Sequence, residues 1–164
     1  MRWMIGSDYV TRFFSDSIED AWGYAVSLSA NGRVAAATTG FTFQDSLRVC
    51  AFNDVTQEWG QLGGIISLGE NQGDTIKLSV DGMTIIVGSN SLSQEEPVTG
   101  VVQVFSFSAD DEEWIQVGQD INQPGDQWGV LCDISADGRI LVAGAPANDR
   151  LAVDAGQVRV FQAN

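Results

Sequence analysis

Short apolar runs, several alternating with polar residues, recur along the chain and are separated by turn dipeptides rather than by capped helical stretches. The pattern predicts strands throughout and no helix of useful length. Three dipeptides, Asn31-Gly32, Asp81-Gly82 and Asp137-Gly138, stand 50 and 56 residues apart. Each follows a serine two residues before it (Ser29, Ser79, Ser135) and a glycine eight residues before it (Gly23, Gly73, Gly129). Agreement in four columns marks three homologous units. Apolar runs on both sides of an Asn-Gly or Asp-Gly pair predict a β-hairpin, with a type I′ turn in which both dipeptide residues have positive φ.

After each hairpin comes a polar loop of variable length. A third, alternating strand follows, over Leu47 to Phe52, Val102 to Phe107, and from Val158 onward. In two units a tryptophan stands seven residues beyond that strand's phenylalanine, pairing Phe52 with Trp59 and Phe107 with Trp114. Both open a W-x-x-x-G segment, ending at Gly63 and Gly118, which predicts a fourth strand. The expected architecture is all-β, a β-propeller-type array of three four-stranded antiparallel blades, either a partial propeller or half of a six-bladed ring. The expected boundaries within the single repeat domain 1–164 are a stray outer strand at 1–10, blades at 22–64 and 73–121, and a third blade at 128–164 without its last strand. Since a ring normally closes with four to eight blades, two pairings stand open: a head-to-tail homodimer, or the remainder of a larger propeller. A β-trefoil, also built from three repeats of four strands, is the alternative fold.

Composition narrows the chemistry. Eight basic residues against twenty-two acidic ones give a net charge of −14, which disfavours nucleic acid and anionic membranes as partners. No apolar run is long enough to predict membrane insertion by a helix, and the first residues do not read as a signal peptide. Histidine is absent, which removes the commonest general base and transition-metal ligand. Cys50 and Cys132 lie in apolar, strand-like stretches and are expected as small buried hydrophobes.

With the columns laid out, the chain resembles the FG-GAP repeats of the integrin α-type β-propeller and of bacterial and algal surface proteins. Trp22-Gly23 and Trp128-Gly129 stand where that motif has Phe-Gly, and Gly144-Ala145-Pro146 where it has Gly-Ala-Pro. The resemblance implies that Trp22, Gly23, Asn31, Gly32, Gly73, Asp81, Gly82, Trp128, Gly129, Asp137, Gly138, Gly144, Ala145 and Pro146 build the blades. It also favours an extracellular or cell-surface setting. The family's calcium loop has no counterpart in the two-residue turns, so no metal or cofactor is expected. The acidic runs Asp110 to Glu113 and Glu95-Glu96 are expected as solvated loops.

No nucleophile–base motif or phosphate loop is present. Asp20, Asp74 and Asp126 recur beside the unit-opening glycines, and a glycoside-acting enzyme is the weakest of the readings they allow. The expected function is a non-catalytic binding or adhesion module that recognises a protein ligand through loops on one face. A lectin-like, glycan-binding propeller is the alternative, with Trp59 and Trp114 either stacking on sugars or packing between blades. Phe13 and Phe14 fall outside the repeat plan and are candidates for an edge cover or a partner contact.

Overall fold

The computed structural model describes residues 21–40, 45–69, 73–90, 99–124, 129 and 131–163. The expected strand at 1–10, Phe13, Phe14, Asp20, Glu95, Glu96, Asp126 and Trp128 lie outside these. Within them the chain is all-β, without helices, in three antiparallel sheets.

The first sheet holds β1 (Val26–Leu28), β2 (Val34–Thr38), β3 (Asp45–Asn53), β4 (Glu58–Gln61) and β5 (Ile66–Gly69). The order is β1-β2-β3, and β4 and β5 pair with successive halves of the same edge of β3. The second sheet repeats this with β6 (Thr75–Leu78), β7 (Thr84–Asn90), β8 (Thr99–Ser108), β9 (Glu113–Gln116) and β10 (Ile121–Pro124). The third holds β11 (Leu131–Ile134), β12 (Ile140–Ala145) and β13 (Gln157–Gln162).

Two expectations are corrected here. The anticipated single fourth strand is two strands, broken around Gly63 and Gly118, both with positive φ. The first two sheets therefore run on to Gly69 and Pro124, past the expected boundaries at 64 and 121. A β-trefoil is a closed barrel with a cap, whereas these strands form separate sheets stacked face to face.

Each hairpin joining the first two strands of a sheet closes in the same way. The Ser29 carbonyl accepts from the Gly32 amide, so Ala30 and Asn31 are the central turn residues and Gly32 follows them with φ of 69°. Neither central residue has positive φ. The turn is thus not type I′: the serine moves the turn one residue toward the N-terminus and leaves the glycine to take the left-handed position.

With the Ser29 carbonyl committed to Gly32, its hydroxyl replaces it as acceptor for the Val34 amide, at 2.9 Å, and donates to Asn31 Oδ1, at 2.8 Å. Asn31 Oδ1 in turn accepts from the Arg33 amide. Ser79 and Asp81, and Ser135 and Asp137, repeat every one of these bonds. The Ser79 hydroxyl and the Met83 amide hold the Asp81 carboxyl below the usual carboxylate range, and Ser135 and the Arg139 amide do the same for Asp137.

Ser29 and Ser79 are buried, whereas Ser135 is not. Ser79→Ala should cost about 2 kcal/mol, because the Thr84 amide loses its acceptor in a buried setting, and Ser29→Ala a similar amount. Ser135→Ala should cost under about 1 kcal/mol, since water can replace the hydroxyl; chemical denaturation of the three variants measures the order. Asp81's lowered pKa contributes stability that is present at neutral pH and lost as pH falls through the folded value. Asp81→Asn, which copies Asn31, should keep the turn and weaken that acid dependence in pH-resolved denaturation.

Candidate functional site

The repeat register places equivalent residues on equivalent faces. Ile76, Leu78, Ile85, Val87 and Phe105 of the second sheet pack into one core cluster with Val34, Ala36, Leu47, Val49, Ile66 and Leu68 of the first. One unit later the corresponding residues, Cys132, Ile134, Leu141, Ala143 and Phe161, pack with Ile86, Val102, Val104 and Ile121 of the second sheet. Each fully buried aliphatic side chain contributes about 1.5–3 kcal/mol, so these two interfaces carry the fold.

The turns pack in the same register. A Cβ on Gly82 would lie 2.5 Å from Val34, and one on Gly138 would lie 2.8 Å from Thr84, the residue equivalent to Val34. Strands β1, β6 and β11 lie side by side as the first strands of successive sheets. Leu78 donates its amide to the Ser27 hydroxyl, and Val80 donates its amide to the Ala136 carbonyl.

The outermost faces have no such neighbour among the described residues. On the first sheet, Val26, Leu28, Ala35, Ala37 and Cys50 occupy the positions that Ile76, Leu78, Ile85, Val87 and Phe105 fill in the second. Val26 and Leu28 are 69% and 60% exposed. They border a groove of about 580 Å³ also lined by Trp22, Arg48 and Cys50. The Arg48 guanidinium lies 4.8 Å from the centre of the Trp22 ring, a cation–π contact. On the third sheet, Leu131, Ile140, Val158 and Val160 are exposed, Val158 by 71% and Val160 by 68%. The chain therefore carries two unpartnered apolar faces at opposite ends of the stack.

The opening glycines Gly23, Gly73 and Gly129 all have positive φ, between 85° and 98°. Gly23 and Gly129 donate their amides to the Thr38 and Gly144 carbonyls, and Gly73 donates its amide to the Ser89 hydroxyl. Gly144 and Ala145 end β12, and Pro146 opens the loop beyond it. These residues lie in the sheets or in the turns and loops beside them.

Trp59 and Trp114 keep equivalent contacts with Phe52 and Phe107, at ring separations of 5.6 and 5.5 Å. Their surroundings differ. Trp114 is buried against Gly63, and its indole N–H donates to the Leu62 carbonyl at 2.9 Å. It thus plugs the break between β4 and β5 of the neighbouring sheet. Trp59 is half-buried.

Of the recurrent carboxylates Asp20, Asp74 and Asp126, Asp74 alone lies among the described residues. Asp74 accepts a hydrogen bond from the Tyr24 hydroxyl, and burial together with that carboxylate raises the Tyr24 pKa. In the acidic run, the Ser108 hydroxyl donates to Asp111, and Glu113 accepts from the Gly64 amide. No group of three or more His, Cys, Asp or Glu residues among the described ones is placed to hold a metal ion. Nor is any helix among them long and apolar enough to cross a membrane.

The loop from 146 to 156 is braced from within. Asn148 is buried, its backbone carbonyl accepts from the Gly156 amide, and its side-chain Oδ1 accepts from the Arg150 amide. Asp149 accepts from the Asp154 amide at 2.7 Å. The loop holds out Leu151 and Val153, which are 89% and 82% exposed. Neither was singled out by sequence; the only signal was an apolar pair inside a polar, variable loop.

No protein-family model and no curated protein matches the chain. Solved structures do. A Bacteroides uniformis protein described as a 6-phosphogluconolactonase is 19% identical with a TM-score of 0.54, covering 85% of this chain and 35% of that one. A eukaryotic initiation factor is 15% identical with a TM-score of 0.56, covering 94% of this chain and 33% of its own. Pyrococcus horikoshii acylaminoacyl peptidase is 13% identical with a TM-score of 0.54, covering 95% of this chain and 25% of its own. The chain spans about a third or less of each of these neighbours. The likeness is one of fold, and the fold it supports is all-β and propeller-like.

Trp114→Ala should cost about 3–5 kcal/mol and Trp59→Ala clearly less, as thermal or denaturant unfolding would show. Burial, reinforced by Asp133 and opposed by Lys77, pushes the Cys132 thiol up to about 12. Cys132 should therefore resist a disulfide reagent at pH 8 in the folded chain and react once guanidinium unfolds it. Its raised pKa contributes stability below the ordinary thiol range and loses it as pH rises toward 12, so Cys132→Ala should flatten the alkaline limb of a pH–stability curve.

Proposed function

We propose that the chain is a non-catalytic recognition and adhesion module of β-propeller type, built from three blades with FG-GAP-like repeats, and that it binds a protein ligand through its inter-strand loops. In this reading β4 with β5, and β9 with β10, serve as single broken outer strands, so that each of the first two sheets is a four-stranded blade. The observation that carries it is the loop at 146–156. A loop held rigid by its own hydrogen bonds gives up little entropy on binding, and two exposed aliphatic side chains at its tip have no folding role. Propeller-like sheets supply a stiff platform, and the acidic surface suits a partner with a basic rim around an apolar centre.

A lectin-like role is the second reading and rests on Trp59 alone, since Trp114 is committed to Leu62 and Gly63. A half-buried indole set against Phe52 suits the edge of a pyranose ring.

The test is a surface-plasmon-resonance screen of the chain against extracellular proteins, repeated with a Leu151→Ser/Val153→Ser variant of unchanged circular dichroism. Burial of two aliphatic side chains predicts about 100-fold weaker binding for the variant. Equal affinity would remove the loop from the site. Binding on a glycan array that disappears with Trp59→Ala would favour the lectin instead.

A further inference from the structure

We infer that the two end faces are halves of one interface, and that a second copy of this chain supplies the match: the outer face of the first sheet packs on the outer face of the partner's third sheet, and the reciprocal contact closes a six-sheet ring. The faces are already assigned by register. Ile76, Ile85 and Val87 make the face that packs on Val34, Leu47 and Val49, and that arrangement recurs one unit later. Val26, Ala35 and Ala37 are the same face of the first sheet. Ile140, Val158 and Val160 are the same face of the third as Val34, Leu47 and Val49.

Three further observations select a copy of this chain as the occupant. The first is bulk. The first interface combines Ile85 and Val87 with the small Ala36, and the second combines the small Ala143 with Ile86. The first sheet now offers the small Ala35 and Ala37, beside a groove of about 580 Å³, and the third sheet offers Val142 in the position of Ala36 and Ile86. Small meets large a third time.

The second is the turn. Gly82 sits against Val34 and Gly138 against Thr84, but a Cβ on Gly32 would meet nothing within 4 Å. Ile140, the residue equivalent to Val34 and Thr84, is exposed on the third sheet. The partner's Ile140 fills the place beside Gly32.

The third is closure. Four to eight blades are the usual complement of a propeller, and two copies of the three described sheets supply six. A heterologous contact made twice with a two-fold rotation leaves no face open; without closure it would propagate into fibres.

Multi-angle light scattering behind size exclusion tests this on the whole chain. The expected mass is twice the 17.6 kDa of one chain. Leu28→Asp on the first sheet and Val160→Asp on the third each place a charge on an exposed side chain, so each should stay folded by circular dichroism and elute at the mass of one chain. Val26→Asp and Leu131→Asp are the substitutes should either fail to fold. Mixing the Leu28→Asp and Val160→Asp chains leaves one interface intact and should restore a two-chain species. A wild-type chain of single mass, as further sheets from a longer chain would require, overturns the inference. So does a Val160→Asp chain that still dimerises, which would mean like faces pair, and so does growth beyond two chains. The Leu151→Ser/Val153→Ser variant should remain a dimer, which keeps this outcome separate from that of ligand recognition.

Discussion

A sheet that is apolar on both faces cannot stand in water alone, and that constraint shapes this chain. The second sheet shows it fully satisfied: Ile85 and Val87 are buried on one side, and Ile86 and Val102 on the other. Strand β7 carries Ile85, Ile86 and Val87 in succession because both of its faces are interior there. Among the described residues, the first and third sheets are each satisfied on one side only. Everything else in the molecule positions these faces or joins them: hairpins fix the register within a sheet, glycines let the turns approach the next sheet, and a tryptophan fills the gap in a broken edge strand.

The serine-centred hairpin carries the most of that positioning for the fewest atoms. One hydroxyl accepts an amide that the backbone carbonyl cannot serve and donates to the Asn or Asp that holds the following amide. The turn therefore presents no unsatisfied donor where it is buried between sheets, which a plain two-residue turn of the same length would not guarantee. Because Asn31 does in the first unit what Asp81 and Asp137 do in the others, the geometry matters and the charge is secondary. The left-handed glycine does double duty: it tolerates its φ, and at Gly82 and Gly138 its missing side chain admits the neighbouring sheet.

Much of the fold was legible because the repeats register period, turn and spacing together. The Gly–Ser–Asx-Gly columns, the strand that ends at Phe52 or Phe107 and the paired tryptophans all fall in equivalent places. The turn type is not legible in the dipeptide, because Asn-Gly and Asp-Gly favour two turns whose difference lies in a serine hydroxyl. The sequence predicts one fourth strand because W-x-x-x-G marks where the strand breaks, not where it stops, and the pairing of Ile66 with Leu47 is visible only in three dimensions. The candidate site was less legible. Trp59 and Trp114 look identical in sequence, yet Trp114 is buried at the break in the neighbouring sheet and Trp59 is half-buried. The exposure of Val158 and Val160 reads in sequence as an ordinary buried alternation. Leu151 and Val153 fit no repeat column.

Methyl-resolved nuclear Overhauser contacts test the constant sheet-to-sheet register most directly. The structure predicts contacts from the Gly82 α-protons to the Val34 methyls, and from the Gly138 α-protons to the Thr84 methyl, as a matched pair. Val34 and Thr84 methyls that see only their own sheets, or glycines in unrelated surroundings, would contradict it.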